Sequence, residues 1–367
     1  MPMNRVAVII VTYLNQEALA DLTRLLPSLE AVNLERDRWE IVLVDNPAPG
    51  GRCADYLQKE WLPRAGKTLP HVTLLRSETN TGFAGGNVLG AKAAREHGCA
   101  YAYLLNQDTD VDPSFLREAL AVMDADPSAG LVQSLLLLGK QPELVNSWGN
   151  AYHFLGYSYC GGYRRPRSEA PAGGKSVEIA AASGAAVLVR LAALGARDIF
   201  DEKFFLYHED VDLSLRIRLA GYRLLLAPAS VVRHHYVFAR SMTKFRWMER
   251  NRFVVLLTAF KWPTLALLVL PLLGVEIFSL LFALRGGWFG EKMAAYRMLM
   301  SRDVRRWIAD RRRAIQSVRR VSDRELLRLA ESRILFQEGQ TDGFVLRYIA
   351  NPLMWLVWKA LYALVRW

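Results

Sequence analysis

Six short polar clusters in this 367-residue chain carry residue types that could do chemistry. In Asn106-Gln107-Asp108-Thr109-Asp110, two carboxylates stand one residue apart. Placed after a strand, they can aim oxygens at a hard divalent cation, which commonly takes one or two carboxylates plus substrate phosphates. His208-Glu209-Asp210-Val211-Asp212 is the densest acidic run. Grouped carboxylates raise one another's pKa, and one of them can serve as a general base. His234-His235 offers imidazole, a good metal ligand. The stretch from Asn80 to Asn87, NTGFAGGN, has glycines at 82, 85 and 86 that would let backbone approach a ligand closely. It is neither the dinucleotide motif nor the P-loop. Thr12-Tyr13 and Asp45-Asn46 complete the set. Each cluster also has a plainer reading: turns favour Asn, Asp and Gly, and helix starts favour acids.

The elements that must position these groups alternate between two periods. Val6–Val11, Ile41–Val44, Val72–Leu75 and Tyr101–Leu105 are short apolar runs. Between them, residues such as Leu19, Leu22, Leu25, Leu26 and Leu29 recur at helical spacing. This predicts an α/β fold, a mostly parallel sheet flanked by helices. Such sheets bind ligands outside the carboxyl ends of their strands, and four of the clusters come after the four predicted strands. Asp112-Pro113 reads as the start of a helix to about Met123. Residues 140–180 read as an inserted stretch of loops and short strands. Glu178–Ala182, Ala185–Val189, Tyr222–Ala227 and Ser230–Arg233 read as strands. Asp210–Gly221 fits a strand by alternation and a helix by its closing glycine.

Two regions are expected, 1–245 and 246–367. Residues 241–367 hold 22 Lys and Arg against 10 Asp and Glu, a charge of +12, whereas residues 1–240 sum to −1. Pro263–Leu284 is 22 largely apolar residues, long enough to cross a bilayer, though Pro263, Pro271 and a mid-length Glu276 oppose crossing. Residues 302–333 carry 11 arginines against 5 acids, and the chain ends LMWLVWKALYALVRW. Aromatic rings among cations suit a membrane interface. No recognised nucleic-acid motif accompanies the charge, so nucleic acid is not expected as a partner. Cys53, Cys99 and Cys160 form no metal or disulfide pattern. The first residues lack the pattern of a signal peptide, so the front region is expected in the cytosol.

Taken in order, VAVIIVTY, IVLVDN, NTGFAGGN, LLNQDTDVDP, SGAAVLVR, FDEKFFLYHEDVDLSLRIRLAGYRL, PASVVRHH and ERNR (249–252) resemble the family-two inverting glycosyltransferases of GT-A fold, especially their rhamnosyltransferase-like branch. The resemblance covers roughly residues 5–255. It implies a nucleotide-sugar site lined by Thr12, Tyr13, Asp45, Asn80, Gly85, Asn87 and Asn106. It places Asp108 on a divalent cation, Mg²⁺ or Mn²⁺, with Asp110 and His234 as further metal candidates. Asn106 replaces the first carboxylate of the family's Asp-x-Asp motif, and Asp110 offers a second register. Asp210 is implied as catalytic base, with Glu209 as the alternative, and the 210–221 segment becomes a helix.

The activity implied is metal-assisted single displacement of a sugar, in that branch rhamnose from dTDP-rhamnose, onto a lipid-linked or cell-surface saccharide. The basic, apolar C-terminal region would then be membrane-associating, on the cytoplasmic face of a bacterial-type inner membrane. Trp148, Tyr152 and Tyr157 in the 140–180 stretch are acceptor-side candidates. The rivals are a nucleotidyltransferase and a membrane-docked saccharide-binding protein without catalysis. The former should carry a Lys or Arg soon after the first strand, and Thr12–Ala20 has none.

Overall fold

The structure, a computed structural model, describes residues 5–172, 174–236, 242–335 and 343–367. In chain order its first elements are β1 (Val6–Tyr13), α1 (Ala18–Glu30), β2 (Trp39–Asn46), the single turn α2 (Ala54–Tyr56), β3 (His71–Arg76), α3 (Gly82–Glu96), β4 (Tyr101–Leu105), β5 (Thr109–Val111) and α4 (Phe115–Ala125). Next come β6 (Ala129–Leu138), β7 (Gln141–Ser147), β8 (Asn150–Tyr152), β9 (Ser158–Cys160), β10 (Val177–Glu178), β11 (Ala186–Arg190), α5 (Glu209–Leu219) and β12 (Arg223–His234). Helices close the chain: α6 (Met242–Ala259), α7 (Trp262–Arg285), α8 (Phe289–Met300), α9 (Arg302–Gln316), α10 (Asp323–Leu329) and α11 (Asn351–Leu364).

The chain divides into two compact units. The first comprises Met1–Gly149, Cys160–Phe205 and Tyr222–Phe238. Its ten-stranded sheet runs β10-β12-β6-β11-β4-β1-β2-β3, with β5 on β12 and β7 on β6. β1 is parallel to β2 and β4, β2 to β3, and β12 to β6, while β11 runs antiparallel between β4 and β6. Every residue of β2 is buried, as a central parallel strand covered on both faces requires. Leu22, Leu25, Leu26 and Leu29 of α1 join Val8, Ile10 and Leu43 in the core. Each leucine so buried is worth about 2 kcal/mol. α3 lies close on β1: a Cβ at Gly86 or Gly90 would fall 2.6 Å from Val11 and 2.4 Å from Ile9. Helix packing therefore accounts for part of the glycine spacing.

The second unit comprises Asn150–Tyr159, Leu206–Gly221 and Ala239–Trp367. Residues 150–159 and 206–221 thus pack with the C-terminal helices. Glu249 and Arg252 of α6, Glu276 of α7 and Lys292 of α8 form a buried, charge-balanced cluster. Arg252 pairs with both acids, and Lys292 Nζ lies 3.0 Å from Glu249 and 2.8 Å from Glu276. Tyr296 also donates to Glu276. The carboxylate that opposes a bilayer crossing in the sequence is therefore held by protein cations. The outer face of α7 is bare and apolar: Leu270 is 79% and Phe278 66% exposed.

Several boundaries differ from expectation. α4 begins at Phe115 rather than Pro113, because the Asp112 side chain accepts from Ser114 N and Oγ and closes a turn first. Beyond Glu178 the strand expected to Ala182 stops. The two strands expected at 222–233 are one, β12, whose register shifts between Ala227 and Val231.

Candidate active site

In the sheet unit, parallel register sets the strand ends side by side, Thr12 opposite Asp45 and Tyr13 opposite Asn46. Asp45 is fully buried. Its Oδ1 accepts from Thr12 Oγ1 (3.1 Å) and Cys53 N (3.0 Å), and Arg52 lies 3.4 Å from Oδ2. Asn46 bridges to the start of α3, accepting from Thr81 N and Oγ1 and donating to Gly82 O. Asn80 Oδ1 accepts from Gly82 N, and Asn87 Nδ2 donates to Phe83 O. Gly82 has φ +69, and a Cβ there would strike Phe205 O at 2.3 Å. A Cβ at Gly85 would meet the Thr81 side chain at 2.5 Å. Among the donor-site candidates Tyr13 and Asn80 are exposed, whereas Thr12, Asp45, Gly85 and Asn87 are buried and bond or pack locally.

The end of β4 meets the end of β12. His234 Nε2 lies 3.3 Å from Asp108 Oδ1, and His234 Nδ1 lies 3.1 Å from Asn146 Oδ1. Since an amide oxygen only accepts, Nδ1 carries the proton, and in the neutral ring the Nε2 lone pair points toward the carboxylate. A lone pair facing an anion calls for a cation or a proton between them. Asn106 Nδ2 lies 3.5 Å from the same Nε2, and its buried Oδ1 has no hydrogen-bond partner among the described residues. Burial opposes ionisation of Asp108, but the charge and hydrogen bond of His234, a backbone N–H and His235 outweigh it. With a proton on Nε2 they hold its carboxyl below the usual range; a cation in that proton's place would act on the carboxylate in the same sense. One carboxylate, one imidazole nitrogen and an unmatched amide oxygen fit a hard divalent cation that completes its shell with phosphate or water. Among the described residues no three His, Cys, Asp or Glu side chains converge, so the protein's share would be small.

Asp110 belongs elsewhere. It binds Arg233 and accepts His235 Nε2 at 2.6 Å. Neighbouring side chains of an extended chain point to opposite faces, so His234 serves one side and Arg233 with His235 the other. The structure thus separates the two carboxylates that the sequence leaves as alternatives.

In the helical unit, α5 opens with Glu209 and Asp210. Phe205, Tyr207 and His208, just before it, have φ of 62, 69 and 64°. Glu209 is buried, and its Oε2 lacks a partner among the described residues. Burial, then the charges of Asp210 and Asp212, push its pKa well above the ordinary carboxylate range. Asp210 is half-buried, with Oδ1 2.7 Å from Val211 N and Oδ2 3.4 Å from Asn150 Nδ2. Burial pushes His208 down to about 4, so it is neutral near pH 7.

The acceptor-side candidates divide. Trp148, in the sheet unit, is half-buried with its ring against Gly162. Tyr152, in the helical unit, is buried and donates to Leu326 O (2.6 Å). Tyr157 lies 4.4 Å beneath the Arg252 guanidinium. Four supporting residues receive no role in the sequence reading, although two of them, Gln107 and Asn251, lie inside motifs quoted there. Arg52 braces Asp45, Asn146 orients His234, and Gln107 pairs with both sides of the Tyr13 backbone, accepting from N (2.8 Å) and donating to O (3.2 Å). The fourth, Asn251, sits within ERNR. Gln107 lies inside the motif itself, whereas the others come from loops, a sheet edge and a helix whose pairing no local pattern announces.

Comparison with known proteins gives the family and the fold. The model of the family described as "Glycosyltransferase like family 2" matches residues 4–254. The curated N-acetylglucosaminyl-diphospho-decaprenol L-rhamnosyltransferase of Mycobacterium tuberculosis is 45% identical over 53 residues, 14% of this chain. The match spans 17% of that relative's length. Residues 1–349 of S. aureus TarS superpose with TM-score 0.51 at 15% identity, covering 98% of this chain and 88% of that one. GalNAc-T7 with UDP, GalNAc and Mn²⁺ gives TM-score 0.52 at 16% identity over 70% and 48%. These likenesses establish the GT-A fold.

Proposed function

The chain belongs to the glycosyltransferase-like family 2, and from that premise we propose that it transfers a sugar from a nucleotide-sugar donor to a saccharide acceptor with inversion. The observation that carries this reading is the Asp108–His234 pair, its imidazole tautomer set by Asn146, beside the orphaned amide oxygen of Asn106. Asp108, His234 and Asn106 would hold Mg²⁺ or Mn²⁺ against the donor diphosphate, and Asp110 is not part of that set. The cation, when bound, offsets negative charge growing on the leaving diphosphate. Support for the donor class comes from solved relatives: TarS was crystallised with UDP and with UDP-GlcNAc. The mycobacterial relative's name supports rhamnose as the sugar and a polyprenyl-diphosphate saccharide as acceptor, and dTDP-rhamnose is the donor that the resemblance implies for that sugar.

Asp210 is the base. The acceptor hydroxyl has a pKa far above 7 and must lose its proton as the new bond forms. Glu209 is buried, with its pKa raised by that burial, whereas Asp210 is the more accessible of the two to an incoming hydroxyl. Proton removal by Asp210 and attack on the anomeric carbon from the face opposite the diphosphate give a single displacement.

We further propose that the enzyme docks on the cytoplasmic face of a membrane. Leu270, Leu273, Ile277, Phe278 and Leu281 of α7 present an exposed apolar face. Glu276 keeps the opposite face on the protein, which favours docking along the bilayer over crossing it. Lys359 over Trp355 (3.9 Å), both exposed, is a cation–aromatic pair of the kind that suits headgroups.

The test is a thermal-shift screen of UDP, GDP, dTDP and their sugars with Mn²⁺ or Mg²⁺, followed by turnover with the best donor and a polyprenyl-diphosphate N-acetylglucosamine acceptor. A metal-dependent shift with one nucleotide and an inverted product support the reading. No shift with any nucleotide, or retention at the anomeric carbon, contradicts it.

A further inference from the structure

The motif Glu249-Arg250-Asn251-Arg252 lies in α6, away from the strand-end clusters, and the chemistry above leaves it without a task. Asn251 is fully buried. Its Nδ2 donates to two successive carbonyls, Leu206 O at 2.9 Å and Tyr207 O at 2.7 Å. Its Oδ1 accepts from Arg250 Nε at 2.9 Å and from the same guanidinium's terminal nitrogen at 2.6 Å. The guanidinium stacks on Trp247, 4.5 Å from the ring centroid. The carboxamide is thus itself fixed from behind.

The carbonyls it grips belong to the stretch where three of the four positive-φ non-glycine residues among the described residues lie. Phe205, Tyr207 and His208 take φ values that L residues rarely adopt, three within four positions, and none is glycine. Such a turn persists only where its surroundings over-determine it. A second hold runs through the 155–156 backbone, which meets α6 on one side and the turn on the other. Arg252 donates to Leu155 O (3.0 Å), and His208 Nε2 lies 3.2 Å from the neighbouring Gly156 O. The turn delivers the chain into α5, whose first residues are Glu209 and Asp210, and His208 O accepts the Asp212 N–H (2.9 Å) that starts the helix.

We propose that Asn251 is a positioning residue that holds the 205–208 turn in its left-handed geometry and so fixes the direction in which Asp210 points. The inference rests on Asp210 being the base. It makes ERNR part of the catalytic apparatus without contact to substrate.

The test is Asn251→Asp in the full chain, which keeps shape and the Arg250 contact but turns both donors into acceptors facing carbonyls. Asn351→Asp is the matched control, because Asn351 likewise accepts from Ile334 N (2.8 Å) and donates to Ile334 O (3.1 Å) at the start of α11. Two readouts are taken: hydrogen exchange of peptides spanning 204–213, and kcat and KM with the donor and acceptor that turn over in the screen above. Asn251→Asp should speed exchange of that segment about 10-fold and cut kcat about 100-fold, with donor KM within about 3-fold of wild type. Asn351→Asp should lower Tm and leave kcat unchanged. If Asn251→Asp does not fold, Asn251→Ser, which retains one donor, replaces it with an expected loss of about 10-fold.

Unchanged exchange at 204–213, or a kcat loss no greater than that of the control at equal loss of Tm, overturns the proposal. Asp210→Asn is run beside it. An active Asp210→Asn removes the reading of the base. An inactive Asp210→Asn with a fully active Asn251→Asp removes the positioning claim alone.

Discussion

The two units treat water in opposite ways. In the sheet unit, Leu, Val and Ile lie inside and the carboxylates and amides gather at the strand ends. In the helical unit, Glu249, Arg252, Glu276 and Lys292 are buried while Leu270, Leu273, Phe278 and Leu281 stand outside. The first arrangement is that of a water-soluble site for a charged small molecule. The second matches a neighbour less polar than water, because contiguous exposed apolar surface of this kind marks an interaction face. The proposed soluble donor and the proposed lipid surface each fall to one of these two arrangements.

The largest expected effect tests whether both units serve one reaction. Asp210→Asn should reduce turnover about 10³-fold while nucleotide binding stays within about 3-fold of wild type, measured by initial rates and calorimetry. A variant that still turns over would leave α5 a structural helix and the helical unit without chemistry.

The buried charges come next. Glu276→Ala leaves Arg252 and Lys292 sharing one carboxylate, and should cost about 3 kcal/mol in urea denaturation followed by tryptophan fluorescence. A loss below about 1 kcal/mol would show that the cluster is not dry, and would weaken the contrast between units.

The exposed face is sharper to probe. Leu270→Asp with Phe278→Asp should abolish flotation with vesicles containing phosphatidylglycerol and leave nucleotide binding intact. Equal flotation by both proteins would move the docking surface elsewhere. Vesicles lacking anionic lipid should bind less well, since each nearby cation contributes about 1 kcal/mol.

How much of this is legible in the sequence differs between the units for a physical reason. Strands such as Ile41–Val44 are buried on both faces and announce themselves as apolar runs, and ladder register then brings Thr12 to Asp45. The resemblance places the 209–219 helix correctly where alternation does not. In the back region charge misleads. Counted as one set, the arginines of 302–333 read as a basic surface. The structure instead spends several internally: Arg311 on Asp212, Arg312 on Leu257 O and Phe260 O, Arg319 on Ala259 O and Asp323, and Arg324 on Tyr362 O. Arg302, Arg305, Arg306, Arg313, Arg320, Arg328 and Arg333 remain exposed, and of that run only these fit the proposed docking. A composition counts charges, whereas capping of helix ends is a property of tertiary placement. Asn146 and Asn251 escape for the same reason, since an asparagine's value lies in what it faces.

The smallest effect concerns Glu209. Its folded pKa is raised, so the stability it contributes is complete below the ordinary glutamate value of about 4.3 and is lost as pH rises through the folded value. Glu209→Gln removes that loss. The Tm difference between variant and wild type should be near zero around pH 4 and grow in the variant's favour with pH. A flat difference would mean that Glu209 is not held protonated.

The account turns most directly on whether the strand-end cluster grips a diphosphate through a cation. Calorimetric titration of UDP and dTDP into the full-length protein, with Mn²⁺ and then with chelator, measures this. Wild type should bind one of them with Mn²⁺ at least 10-fold more tightly than with chelator, and Asp108→Ala should erase that difference. Binding that ignores both the metal and the loss of Asp108 would contradict it.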